Sequence, residues 1–348
     1  VRHPSRPVGA PSRFWLTGSG YGIVMATDTT TSTTTTSTDG TGLDPRAAAL
    51  MVMGMACFGS ATPVSRIVGR SFPVWLGSTT RMLVAAAVLA PMVWWRRRRR
   101  DEPSLWQTVR TMDAADRWRL TAIGVVGTFA FTAFMLIGMR EAPGAVGAIV
   151  MATTPAVTAV ASVLFLGDHL TKWKTIAIAL AVTGVVIVNI FGSTGSDSGD
   201  LVVVGSLLVF AAVCCEATYT LVGMQLSADL DPMSLTLLAA VVAIVAFSPL
   251  AIWDLIGFDW TEPSTSEWLG ALWWGAGTMA LGSVLWFMGN RDVSGTTASV
   301  FMGVMPVSAL VLSYVLLGEP FQWIHVVGMA TVLAGLVITS MAGDGHGH

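Results

Sequence analysis

The chain has 348 residues, a mean hydropathy of +0.67 and only 11% charged residues. A soluble protein of this length carries about 25% charge, so a water-soluble fold is excluded. The formal net charge of −2 gives no bulk attraction for nucleic acid. Many runs reach the ~20 apolar residues that a bilayer crossing needs, which makes this a polytopic membrane protein.

Residues 1–45 read as a disordered tail. Arg2, Arg6 and Arg13 alternate with Pro and Gly, and residues 27–41 are nearly all Thr and Ser. Such a tract cannot bury enough apolar area to offset its ordering entropy. No apolar core of useful length follows the early arginines, so no secretory signal is read. Met25 offers an alternative translation start, which would leave residues 1–24 outside the protein.

Ten apolar spans follow: Ala47–Val64, Val74–Trp95, Trp118–Met139, Gly144–Phe165, Lys172–Phe191, Leu201–Leu226, Pro232–Leu255, Glu267–Asn290, Gly295–Leu316 and Gln322–Met341. Backbone groups in lipid must be satisfied within their own segment, so each span is expected to be a helix. Trp75, Trp94, Trp95, Trp118, Trp173, Trp253, Trp268 and Trp323 lie near span ends, where amphipathic rings anchor at the interface.

The chain writes part of itself twice. Shifting residues 138–187 by 151 positions onto 289–338 gives 13 identities in 50 ungapped pairs. They include Arg140 with Arg291, Gly144 with Gly295, Met151 with Met302, Pro155 with Pro306 and Gly184 with Gly335. Leu166-Gly167-Asp168 meets Leu317-Gly318-Glu319. Apolar composition alone does not put Arg, Gly and Pro into one register, so the chain is read as duplicated. The expected architecture is all-α and integral to the membrane. Two five-helix repeats, 46–192 and 193–343, enclose a central cavity, and a short tail, 344–348, ends the chain.

Charge in the short loops sets the orientation. The loop after the second span holds Arg96–Arg100, Arg110, Arg117 and Arg119. Its repeat equivalent holds Asp254, Asp259, Glu262 and Glu267 without Lys or Arg. Lys172 and Lys174 follow the fourth span, whereas Glu319 follows the ninth. Paired loops therefore face opposite sides and the repeats are inverted. Both termini are expected in the cytoplasm of a cell-membrane protein, with Arg66, Arg70 and Arg140 near the outer face.

Several motifs resemble the EamA branch of the drug/metabolite transporter superfamily, across residues 47–341. The first span carries Phe58-Gly59-Ser60-Ala61-Thr62-Pro63-Val64-Ser65-Arg66, similar to the family's Trp-Gly-small opening with a later basic residue. Phe58 replaces Trp and Arg66 replaces Lys. Arg81-Met82-Leu83-Val84-Ala85-Ala86 is close to the family's Arg-aromatic-Leu-x-Ala start, and Thr154-Pro155 and Met305-Pro306 match its double signature. The resemblance implies a ten-helix exporter or exchanger of small metabolites, amino acids among them.

Glu216 is the one acidic residue of 21 that lies deep within a span, about 22 Å from the outer end at 1.5 Å per residue. A carboxyl there must face the bundle interior or water, which suits proton binding or a helix–helix hydrogen bond. Tyr219 and Thr220 share its helix face, so Tyr219 is read as a donor to Glu216, to a solute or to a neighbouring helix. Arg81, about 10 Å below the outer surface, could hold an anionic solute group, snorkel, or pair with carbonyls. A direct Arg81–Glu216 pair is not expected from these depths. Ser60 and Thr62 sit at the depth of Glu216 under a shift of 156, as cavity polar groups or as small packing residues.

Pro155 and Pro306 are equivalent mid-helix prolines, each leaving a carbonyl four residues earlier, Met151 and Met302, without its usual donor. Paired kinks suit helices that line a cavity or that merely pack. Asp168 and Glu319 are expected at the starts of the following helices, where a carboxylate favours the positive end. Cys57, Cys214 and Cys215 read as buried hydrophobes, and the five scattered histidines form no zinc motif. No GxxxxGK[ST] occurs, so energy is expected from an ion gradient or exchange. The expected partners are a small solute, protons and the bilayer, with no cofactor, metal or nucleic acid; the oligomeric state is not legible. A non-transporting receptor or scaffold is the alternative. An intramembrane enzyme lacks the His-acid cluster or paired aspartates it would need.

Overall fold

The computed structural model describes residues 44–167, 171–191, 199–226, 230–290, 293, 298 and 301–343. The N-terminal tail, Asp168, His169, Arg291, Gly295 and the C-terminal residues lie outside them. The described residues are helical and contain no strand. Eight helices are long and apolar enough to cross a membrane. They are α1 Pro45–Val68, α2 Val74–Arg99, α3 Ala114–Glu141, α4 Gly144–Leu166, α5 Lys172–Ile190, α6 Asp200–Met224, α7 Pro232–Ile256 and α8 Thr265–Gly289. Two further apolar helices follow, α9 Val304–Leu317 and α10 Trp323–Gly343. The span expected from Gly295 is thus described only in its later part.

Helix ends follow local chemistry. Asp44 caps α1 by accepting from the Arg46 N–H at 3.0 Å, and Pro45 stands where no donor is needed. Asp231 accepts from the Met233 and Ser234 N–H groups at the start of α7. Ser264 and Glu267 form a reciprocal capping box on α8. Gly167 and Gly318 end α4 and α9 at φ of 74° and 65°, a left-handed turn that glycine alone adopts without strain. Arg97, at the end of α2, donates to the Pro103 carbonyl and the Thr108 hydroxyl. Those bonds fold the basic loop and its short helix Leu105–Thr111 back onto α2.

Packing has an exchange symmetry. α2 packs on α7, α5 on α10 and α4 on α9. α1 packs on α8 and α9, while α6 packs on α3 and α4. Replacing each helix by the one five places away returns the same set. Interior irregularities pair likewise: residues 123–130 of α3 and 276–281 of α8 are both π-helical, the wider winding that recurs at functional sites.

Close crossings depend on missing side chains. A Cβ on Gly138 would lie 2.9 Å from the Gly205 carbonyl oxygen, and one on Gly59 would run into that of Met305. These glycines let α3 meet α6 and α1 meet α9 at backbone distance. Outside the bundle, Trp94, Trp95, Trp118, Trp173, Trp253 and Trp323 are exposed near helix ends, as interfacial anchors are. Trp268 and Trp75 instead pack inward, Trp268 edge-on to Phe72 and Trp75 stacked near Phe129.

Candidate functional site

Five helices contribute to the surroundings of Arg81, which is buried, and of Glu216, which is half-buried. Arg81 lies on α2, and its side chain is pressed between aromatic faces. Its guanidinium carbon is 4.6 Å from the Trp274 ring centroid and 5.9 Å from that of Phe131. Such faces attract a desolvated cation. Nη1 donates to the Thr132 hydroxyl at 3.2 Å. Arg81 is only 6% exposed, so it does not snorkel to the surface. Its Nε is buried without a hydrogen-bond partner, and so is the indole Nε1 of the adjoining Trp274. Two buried donors without acceptors on neighbouring side chains are costly.

Glu216 lies on α6. One carboxyl oxygen is 3.0 Å from the Thr154 hydroxyl on α4. Arg81 and Glu216 are close enough to influence each other electrostatically. They form none of the ion pairs within 4.0 Å found among the described residues. Each charge is held instead by neutral groups: hydroxyls and aromatic rings.

The remaining residues fall around this centre unevenly. The Tyr219 hydroxyl lies 3.5 Å from Thr236 on α7, and its body fills the space left by Gly127 of α3. It makes the helix–helix contact, not a bond to Glu216. Ser60 marks a break between the two parts of α1, Pro45–Gly59 and Ala61–Val68. Its hydroxyl donates to the Cys57 carbonyl and accepts from the Trp273 indole at 2.9 Å. Thr62, two residues on, is buried and faces Gly147 of α4. Met151 is buried, whereas Met302 is 39% exposed.

The prolines do not bend continuous helices. α4 consists of Gly144–Met151 and Thr154–Leu166, with Pro155 in the first turn of the second part. Pro306 likewise stands in the first turn of α9, after a turn at Gly303. The Met151 carbonyl, deprived of its donor by Pro155, accepts from the Thr154 hydroxyl at 2.8 Å. Thr154 thus touches both the break and Glu216. Its signal in the sequence was its place immediately before the repeated proline.

Glu319 does not cap its own helix. Its carboxylate reaches back to α4 and accepts from the Gly144 N–H at 2.6 Å and the Ala145 N–H at 2.9 Å. Arg66 stands 4.0 Å from the same carboxylate and also donates to the Ala142 carbonyl. Asp254, at the end of α7, caps α2 similarly by accepting from Trp75 and Leu76. Arg140 ties the same face by donating to the Gly69 and Phe72 carbonyls. Arg66, Arg70 and Arg140 line a hollow of about 500 Å³ there. Neither this hollow nor a small apolar one beside Pro155 is lined by Glu216.

A bundle with eight helices long and apolar enough to cross a membrane, carrying Arg81 and Glu216 on separate helices, is an integral membrane protein. Residues 45–190 and 203–341 each match the model of the EamA-like transporter family, and the chain belongs to that family. It is 29% identical over 285 residues to the "Uncharacterized transporter YetK" of Bacillus subtilis (strain 168), covering 82% of this chain and 84% of that one. It is 24% identical over 236 residues to the "Probable terminal-alkyne amino-acid exporter" of Streptantibioticus cattleyicolor, covering 66% of this chain and 75% of the relative. A solved crystal structure superposes with a TM-score of 0.57 at 16% identity. It covers 86% of this chain and 98% of that one, and is a likeness of fold alone.

Proposed function

We propose that the protein is a secondary exporter of amino acids or closely related solutes, exchanging them for protons by alternating access. Ten helices form two inverted halves, 46–192 and 193–343, with both termini in the cytoplasm of the cell membrane. The exchange symmetry of the packing and the opposite charge of equivalent loops support that architecture.

The observation that carries the functional reading is the separation of Arg81 from Glu216. If the two served only stability, they would neutralise each other by direct contact. Held separately by Thr132, Trp274 and Thr154, they would offer a cation and a carboxyl to the two ends of a zwitterionic solute. A solute carboxylate would satisfy the orphaned donors of Arg81 and Trp274. Its ammonium group would take the place of a proton at Glu216. Competition of proton and ammonium for one carboxylate makes the transporter an exchanger. The name of the Streptantibioticus relative, an amino-acid exporter, agrees with this substrate class.

The test uses the purified protein in proteoliposomes. Radiolabelled amino acids are first screened by counterflow, and the responding solute is then driven by an imposed pH gradient. An acidic lumen is expected to drive uptake in the wild type but not in Glu216→Gln. Gradient-driven uptake by E216Q at the wild-type rate would remove Glu216 from coupling.

A further inference from the structure

We infer that Thr154 is a positioning residue that transmits the charge state of Glu216 to the break in α4. The inference rests on the reading of Glu216 as a proton site. Its basis is a count of hydrogens. The Thr154 hydroxyl lies 2.8 Å from the Met151 carbonyl oxygen and 3.0 Å from a Glu216 carboxyl oxygen. A carbonyl only accepts, an ionised carboxylate only accepts, and a hydroxyl has one hydrogen to give. Both contacts therefore cannot be full hydrogen bonds while Glu216 is ionised, since they would divide one hydrogen.

A proton on Glu216 resolves the conflict. The protonated carboxyl donates to Thr154 Oγ1, and Thr154 donates onward to Met151. Loss of that proton turns the Thr154 hydrogen toward the stronger, charged acceptor. The Met151 carbonyl then loses the donor that stood in for the one Pro155 lacks. The break between Met151 and Thr154 is stitched in one protonation state and loosened in the other.

The surroundings leave this role to Thr154. The groups acting on Glu216 from packed helices are Thr154 on α4 and, at longer range, the Arg81 guanidinium on α2. Tyr219, on α6 itself, is engaged with Thr236. The neighbouring Thr153 hydroxyl donates to the Val150 carbonyl and does not share a carboxylate. The second repeat lacks the device. The shift of 151 places Met305 opposite Thr154, and the shift of 156 places Ser60 opposite Glu216. Proton binding would thus act on one of the two broken helices.

The experiment is hydrogen–deuterium exchange of the full chain in lipid nanodiscs from pH 5 to 9, corrected for intrinsic exchange, read on peptides spanning 150–157. Losing the hydroxyl-to-carbonyl hydrogen bond at Met151 corresponds to a change of about fivefold in local opening. The wild type and Thr154→Ser are expected to lose that much protection as Glu216 ionises. Thr154→Val, which keeps the shape without the hydroxyl, and Glu216→Gln are expected to show no pH dependence. A pH response in T154V equal to wild type, with E216Q flat, would overturn the relay and leave the proton site standing. A wild-type response in E216Q would overturn both, and so would a pH-independent wild type. None of these readouts requires transport.

Discussion

Replacing Glu319 tests whether the loop between α9 and α10 is structural cement for the other half of the molecule. Its carboxylate accepts two N–H groups at the start of α4, at 2.6 and 2.9 Å, with Arg66 at 4.0 Å. Hydrogen bonds to a charged group contribute about 1.5–3 kcal/mol each. The site is near a helix end, with a side-chain exposure of 14%, so water can replace part of that. The net loss for Glu319→Ala is then about 2–3 kcal/mol. Glu319→Gln keeps one neutral acceptor and should lose about 1 kcal/mol. Glu319→Asp, shorter by a methylene, cannot reach both N–H groups and should fall between them. Reversible unfolding in mixed micelles, followed by tryptophan fluorescence, gives these differences. An E319A variant within about 0.5 kcal/mol of wild type would refute the reasoning, because surface carboxylates lie in that range.

Three other outcomes follow from the same geometry. Gly138→Val forces side-chain atoms into the Gly205 carbonyl, whose oxygen would stand 2.9 Å from the new Cβ, and should cost at least about 2 kcal/mol in the same assay. Arg81→Gln should abolish solute counterflow, and Arg81→Lys should restore little of it, since an ammonium cannot reproduce a guanidinium held between Trp274 and Phe131. Trp274→Phe keeps the aromatic face and removes the orphaned donor. It should raise the KM for solute by about tenfold while leaving the fold intact, measured by counterflow and melting together.

Much of the architecture was legible because it is written in strong, periodic signals. Long apolar runs pointed to the helices, and repeated Gly, Pro and Leu-Gly-acid positions pointed to the segments that pack in matching pairs. The left-handed glycines 167 and 318 stand where the repeat placed them. Side-chain partners were less legible, since they depend on how helices rotate against each other. Tyr219 lies three residues from Glu216, which is a rotation of about 60° around the helix axis. That turn is enough to face α7 while Glu216 faces α4. Pro155 was read as a bend with a bare carbonyl, but the preceding threonine supplies the donor and the helix breaks cleanly. Glu319 looked like a cap for the helix that follows it. The tight Gly318 turn sends it across to α4 instead. The aromatic cradle of Arg81 draws on α3 and α8, distant in sequence, and no local pattern announces it.

The proposed exchange of solute for protons at Glu216 can be tested without any imposed gradient. Proteoliposomes carrying a pH dye in the lumen are mixed with the solute identified by counterflow, at equal pH on both sides. Wild-type vesicles should turn alkaline inside as solute enters and protons leave, and E216Q vesicles should show no change. Solute entry into wild-type vesicles with an unchanged or acidifying lumen would contradict the account.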